Sequence, residues 1–264
     1  MSQAAHTLFI SDLHLSAQRP DIAAQFLAFM QQRASKAEAL YILGDLFDIW
    51  LGDDAIQTAH EIVIDAIRQV SDRGIPVYFM HGNRDSLIGE TFADKAGCQL
   101  LDDVCVIDLY GTPTLITHGD LLCTDDVEYQ KFRAYIRDPE VIAEFMALSI
   151  EERIAKGKEF RKASQEANKQ KSDEIMDVNQ NAVESMLREH NVAQMIHGHT
   201  HRPNVHQFNL DEYAATRTVL GDWYTQGSQI YVDANGCQLQ ELKRNKLTSA
   251  WQTMKLLRTI KSIS

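Results

Sequence analysis

Leu40-Tyr41-Ile42-Leu43-Gly44-Asp45-Leu46-Phe47-Asp48, residues 40–48, reads as a short apolar strand that stops at a Gly-Asp pair. A brief run of large apolar residues bounded by glycine suits a strand buried on both faces. The same pattern occurs twice more in the first third of the chain. Thr7–Ile10 runs into Ser11-Asp12-Leu13-His14, and Val77–Met80 runs into His81-Gly82-Asn83-Arg84-Asp85. Between the first two runs, Pro20-Asp21 opens a segment with Ile22, Phe26, Phe29 and Met30 at helical spacing. Between the second and third, Ile56, Val63, Ile67 and Val70 repeat that spacing before Gly74 and Pro76 close it. A β-α-β-α-β order predicts parallel strands with right-handed, helix-covered crossovers.

Farther along, Val104–Leu109, a Tyr110-Gly111 turn and Thr114–Thr117 form a hairpin pattern ending at His118. Val192–Ile196 runs into His197, and Arg217–Leu220, Gln229–Val232 and Leu239–Leu242 read as consecutive antiparallel strands. Residues 126–190 hold no clear strand pattern and are rich in Glu, Lys, Arg, Ala and Met, so they read as a helical insertion. The predicted organisation is an α/β core over 1–125 and 191–242, a helical cap over 126–190 and a tail over 243–264.

With 264 residues, 44% of them hydrophobic and 24% charged, the chain has the composition of an ordinary globular protein. No apolar run approaches the roughly 18 residues that span a bilayer. Met1–Ile10 lacks the pattern of a secretion signal. Four cysteines, Cys98, Cys105, Cys123 and Cys237, have no paired spacing, which argues against a disulfide framework or zinc knuckle and for a reducing, cytoplasmic setting. A net charge of −11 argues against nucleic acid as a partner. The charge is uneven: Lys243, Arg244, Lys246, Lys255, Arg258 and Lys261 stand in a tail without acids. There Leu256, Leu257, Ile260 and Ile263 can share one helical face, which fits either a short basic interfacial helix or a frayed terminus.

Polar residues follow each apolar strand. At the carboxyl edge of an open α/β sheet such residues can converge although they are distant in sequence. Asp12-Leu13-His14, Gly44-Asp45, Gly82-Asn83-Arg84-Asp85, His118-Gly119-Asp120 and His197-Gly198-His199-Thr200-His201 are each weak signals and together a strong one. If the last segment is extended, its alternate residues His199 and His201 face one side. Imidazoles and carboxylates without thiolates suit Mn²⁺, Fe²⁺ or Zn²⁺. Two ions about 3.5–4 Å apart need a shared carboxylate. Asp45 is the natural bridge, with Asp12, His14 and His201 for one ion and Asn83, His118 and His199 for the other. Asp48 and Asp85 read as residues that orient these ligands, and Arg84 as a donor to phosphoryl oxygens. Cys123 lies in acidic surroundings that do not favour a thiolate nucleophile.

This motif series resembles the calcineurin-like metallophosphoesterases, and within them the UDP-2,3-diacylglucosamine hydrolases of lipid A biosynthesis. Ser11–Leu15, Tyr41–Phe47, His81–Asp85, His118–Asp126, Ile175–Ala182 and Ile196–Pro203 carry the resemblance, which covers about residues 7–242. It departs from the wider superfamily at Arg84, where histidine is usual, leaving protonation of the leaving group open. The resemblance implies an αββα sandwich with a helical cap, two Mn²⁺ ions, and attack of water on the α-phosphorus of UDP-2,3-diacylglucosamine. The products would be UMP and 2,3-diacylglucosamine 1-phosphate. It also implies a peripheral position on the cytoplasmic face of the inner membrane of a Gram-negative bacterium, without an obligate protein partner. Catalytic roles would fall to Asp45, Asn83 and Arg84. Substrate contacts would fall to Asn83, Arg84, Asp126, Arg161, Ser164, Asn168, Lys171 and His199. Arg161, Ser164, Asn168 and Lys171 would share one face of a helix. Phe132, Tyr135, Phe145, Met146 and Phe160 are candidates for an apolar groove in the cap. Two other readings stay open at this point: a dinuclear phosphodiesterase or phosphatase with another substrate, and a non-catalytic module on the same scaffold.

Overall fold

The computed structural model describes residues 5–169, 171–172, 175–224 and 227–243. The tail helix anticipated over 253–264 lies outside them. The chain begins with β1 (Thr7–Ile10), α1 (Pro20–Gln32), β2 (Ala39–Leu43), α2 (Thr58–Ser71), β3 (Val77–Met80), α3 (Glu90–Ala96) and β4 (Gln99–Leu101). It continues with β5 (Val104–Leu109), β6 (Thr112–Thr117), α4 (Val127–Ile136), α5 (Pro139–Met146), α6 (Ile150–Lys169) and α7 (Gln180–Glu189). The last elements are β7 (Gln194–His197), β8 (Asn204–Leu210), β9 (Tyr213–Val219), β10 (Gly227–Asp233) and β11 (Gly236–Leu242).

Two sheets stack face to face. The first has the order β11-β10-β1-β2-β3-β4, with β1 to β4 parallel and β10 antiparallel to β1. The second has the order β5-β6-β7-β9-β8. Phe9, Leu43 and Met80 from the first sheet meet Ile116, Ile196 and Leu220 from the second between the layers. Ile22 and Phe26 of α1 and Val63 and Ile67 of α2 cover the outer face of the first sheet. Val183 and Leu187 of α7 cover the second, against Leu115 and Met195. The layers are therefore α, β, β and α, as the strand runs required: apolar on both faces, they need cover on both.

Two expectations are corrected. Ile56 lies ahead of α2, just past a short 3₁₀ turn at Asp53–Ala55. Arg217–Leu220 is not an antiparallel neighbour of Gln229–Val232: β9 runs parallel to β7 in the second sheet, whereas β10 and β11 join the first. The hairpin partner of β9 is β8, whose exposed, polar edge gave little strand signal. The stretch 126–190 contains helices and no strand among its described residues. None of the described helices is long and apolar enough to cross a membrane.

Candidate metal centre

The segments after β1 and β2 stay in register beyond their strands. Asp12 N–H donates to the Gly44 carbonyl at 3.1 Å, His14 N–H to Asp45 O at 2.9 Å and Leu15 N–H to Leu46 O at 2.8 Å. Asp85 locks the next loop to them. Its buried carboxylate accepts from the backbone N–H groups of Gly82 at 2.8 Å, Asp45 at 3.2 Å and Leu46 at 2.8 Å. Asp85 therefore orients the Asp45 loop, as its position in the motif suggested. Asp48 does something else: it pairs with Arg161 of α6 and so ties the cap to the core.

Around Asp45 two groups of side chains meet. On one side His14 Nδ1 lies 3.7 Å from Asp45 Oδ2, His14 Nε2 lies 3.1 Å from His201 Nε2, and His201 Nε2 lies 3.3 Å from Asp12 Oδ1. On the other, His118 Nε2 lies 3.8 Å from Asp45 Oδ1, and Asn83 Oδ1 lies 3.2 Å from His118 Nε2 and 3.0 Å from His199 Nδ1. All seven candidate residues thus converge around Asp45, and Asp12 can share an ion either with His14 and His201 or with Asp45 and His118. Their backbones do so by an unexpected route. Asp12, His14, Asp45, His199 and His201 all have φ between 48° and 67°, the left-handed region that L residues adopt at a cost of about 1–2 kcal/mol each. His199 and His201 therefore face the site through tight turns and not through an extended alternation.

Several atoms fit a cation. Asp12 is fully buried, and its Oδ1 lacks a hydrogen bond of good geometry. Burial pushes the Asp12 carboxyl up, but the imidazole of His201 beside it, with those of His118 and His14, outweighs burial and holds the group below the usual carboxylate range. Burial also pushes Asp45 up, to about 7. Burial depresses His14 to about 3 and His199 to about 4, so these rings are neutral lone-pair donors. His118 Nδ1 lies 2.7 Å from the Leu43 carbonyl and His201 Nδ1 lies 3.5 Å from Asp222 Oδ2, which leaves each Nε2 directed at the centre. Burial pushes His118 and His201 down, but the aspartates outweigh it and raise His118 to about 9 and His201 above the usual imidazole value, so without an ion the cluster holds protons that a divalent cation would replace on the same carboxylates and imidazoles. No ligand atom is a thiolate, and burial pushes Cys123 up to about 12, out of reach of nucleophilic chemistry at neutral pH.

Helices α4, α5 and α6 share a cavity with the core beside Asn83 and Arg84. A cavity of about 330 Å³ is bounded by Asn83 and Arg84 from the core, Trp50 and Leu51 from the loop after β2, and Phe132, Tyr135, Phe145, Phe160, Arg161 and Ser164 from the cap. Met146, also proposed for this groove, instead brings its sulfur to 3.5 Å from Arg153 Nη1. Arg153 pairs with Asp54, Arg133 with Asp103 and Asp120, and Arg137 with Asp103, so arginines of the cap meet aspartates of the core at both ends. Lys171 lies beyond the last residue of α6, so it does not share a helical face with Arg161 and Ser164; its Nζ lies 2.6 Å from Asp126 Oδ2. Asn168 falls within α6. Two tyrosines escaped the sequence reading. Tyr129 stacks on His199 with ring centroids 5.7 Å apart, and its hydroxyl donates to Asp120. Tyr224 stacks on His14 at 5.4 Å. Neither had a motif to mark it, whereas Asp120 stood in plain view beside His118.

A two-sheet sandwich with imidazoles and carboxylates gathered at its strand ends defines the class, and the family model for calcineurin-like phosphoesterases matches residues 5–203. Curated relatives narrow it. A protein of Stenotrophomonas maltophilia (strain K279a) is 49% identical over 245 residues, covering 90% of this chain and 99% of that one. One of Edwardsiella ictaluri (strain 93-146) is 52% identical over 237 residues, covering 89% and 92%. One of Escherichia coli O7:K1 (strain IAI39 / ExPEC) is 51% identical over 233 residues, covering 88% and 97%. Each bears the name UDP-2,3-diacylglucosamine hydrolase. The chain belongs to this family of calcineurin-like phosphoesterases.

Proposed function

We propose that the protein hydrolyses the pyrophosphate bond of UDP-2,3-diacylglucosamine in lipid A biosynthesis, releasing UMP and 2,3-diacylglucosamine 1-phosphate. The observation that carries this reading is a largely apolar cavity lined by Asn83, Arg84 and Arg161, in which Asn83 Oδ1 also lies within 3.2 Å of His118 and His199. The relatives that bear the name of this activity agree with it. The cavity suits a molecule with apolar chains at one end and phosphates at the other. Asp12, His14, Asp45 and His201 would hold one Mn²⁺ ion, and Asp45, Asn83, His118 and His199 the second. Bound divalent ions lower the pKa of water and neutralise phosphoryl charge.

The protein's own groups do the rest. Arg84, whose N–H bonds Asp45 Oδ1 at 2.8 Å, presents a fork of donors to the α-phosphoryl oxygens. Asn83 and His199 bound the same oxygens. Arg161 and Ser164, which line the cavity, together with Asn168, Lys171 and Asp126, would contact the sugar phosphate. Water attacks the α-phosphorus, and the bond to the bridging oxygen breaks toward the sugar. The leaving group is a phosphate monoester whose second pKa is about 6, so it departs as an anion without a proton donor. An arginine in place of the superfamily's histidine is then chemically sufficient. Residues 126–190 act as the cap on a core of 1–125 and 191–242, and the basic 243–264 tail holds the protein at the cytoplasmic face of the inner membrane. Hydrolysis of the lipid nucleotide in H₂¹⁸O tests the reading: label is expected in UMP, and label in the sugar phosphate refutes it.

A further inference from the structure

His197 ends β7 fully buried, yet it turns away from the seven converging side chains. Its Nε2 lies 3.0 Å from Arg217 Nη1, and its Nδ1 lies 2.8 Å from the Gly198 carbonyl oxygen. An arginine donates and does not accept. Nε2 is therefore the acceptor, and Nδ1 carries the proton that is donated to Gly198. The same carbonyl accepts from Thr200 N–H at 2.8 Å, while Gly198 N–H donates to the His118 carbonyl at 2.9 Å. His199 N–H in turn donates to Asp12 Oδ2 at 2.9 Å. Gly198 has no room to shift: a Cβ there would stand 2.2 Å from Ser11 Oγ and 2.4 Å from Asp12 Oδ2. The turn that follows holds His199 and His201 at φ 67° and 57°. Such backbones persist only where their surroundings over-determine them.

We propose that Arg217, acting through His197, is a positioning residue: it fixes the Gly198 turn and thereby sets the aim of His199 and His201 at the metal centre. Arg217 is buried on β9, where it stands in register with Met195 of the neighbouring strand β7. The relay thus ties a sheet strand that carries no ligand to the loop that carries two. This inference rests on the reading of those histidines as metal ligands.

The test uses the full chain, with Mn²⁺ affinity measured by titration calorimetry well below the unfolding temperature, alongside kcat and KM. In Arg217→Met, Mn²⁺ affinity is expected to fall roughly 10- to 100-fold, with kcat reduced and KM little changed. Arg217→Lys, which keeps a donor for His197, is expected to recover part of both. His197→Asn, too short to reach Arg217, is expected to match Arg217→Met, and the double variant to be no worse than either single one. Should Arg217→Met fail to fold, His197→Asn with and without Arg217→Lys carries the same comparison. Wild-type affinity and kcat in Arg217→Met, or fully additive losses in the double variant, overturn the inference alone. A wild-type chain that binds no Mn²⁺ overturns the proposed function and the inference with it.

Discussion

Gly82→Ala isolates how closely the ligand loops must approach one another. Gly82 does not have a left-handed backbone, so alanine fits its φ and ψ and the whole effect is steric. The added Cβ would stand 2.1 Å from Asp45 Oδ1, 2.4 Å from Asp45 N and 2.9 Å from Asp45 Cγ. Ordinary contacts of such atoms are about 3.5 Å, so one loop must move by about 1 Å. The backbone offers no slack, because Gly82 N–H and Asp45 N–H are both fastened to Asp85 Oδ1. A misplacement of about 1 Å in a catalytic array costs about 100-fold in rate. We expect kcat/KM of Gly82→Ala to fall by that factor or more, with weakened Mn²⁺ binding. Gly74→Ala is the control: Gly74 has φ +80° with nothing within 4 Å of an added methyl, so it should lose about 1 kcal/mol of stability and no activity. Steady-state hydrolysis of the lipid nucleotide and metal content after gel filtration measure both. A Gly82→Ala enzyme with full metal content and undiminished kcat/KM refutes the reasoning.

His60 packs against Phe47 and Trp50, and burial depresses it to about 4. Above pH 6.5 it costs nothing. As pH falls from 6.5 to 4 the unfolded chain takes up a proton that the fold refuses, so stability drops by at most about 3 kcal/mol. His60→Gln, which keeps an acceptor for the Gln57 N–H, should flatten that part of the pH dependence in urea unfolding; an unchanged slope contradicts it. Chelation should lower the unfolding temperature as well as abolish turnover, since an ion at 100 times its Kd adds about 2.7 kcal/mol; identical melting with and without EDTA speaks against a metal centre. Deleting 245–264 should weaken partitioning onto anionic liposomes while leaving hydrolysis of a dispersed substrate intact, and unchanged partitioning removes the membrane role of the tail.

Local chemistry made a good part of this protein legible. β1, β2, β3 and the Val104–Thr117 hairpin are short apolar runs bounded by Gly, Asp or His, and they fold where those boundaries put them. The converging side chains were recognisable because each follows such a run, and strand ends at the same edge of two stacked sheets can meet. Tertiary structure alone decided the rest. Which sheet β9 joins depends on pairing with β7, not on its own residues. The stacking of Tyr129 on His199 and of Tyr224 on His14, and the reach of Arg217 to His197, are contacts across 20 to 210 positions of chain. The left-handed turns at Asp12, Asp45, His199 and His201 run against the residues' own preference. They exist because hydrogen bonds from distant loops outweigh that preference, and no local reading of sequence contains those bonds.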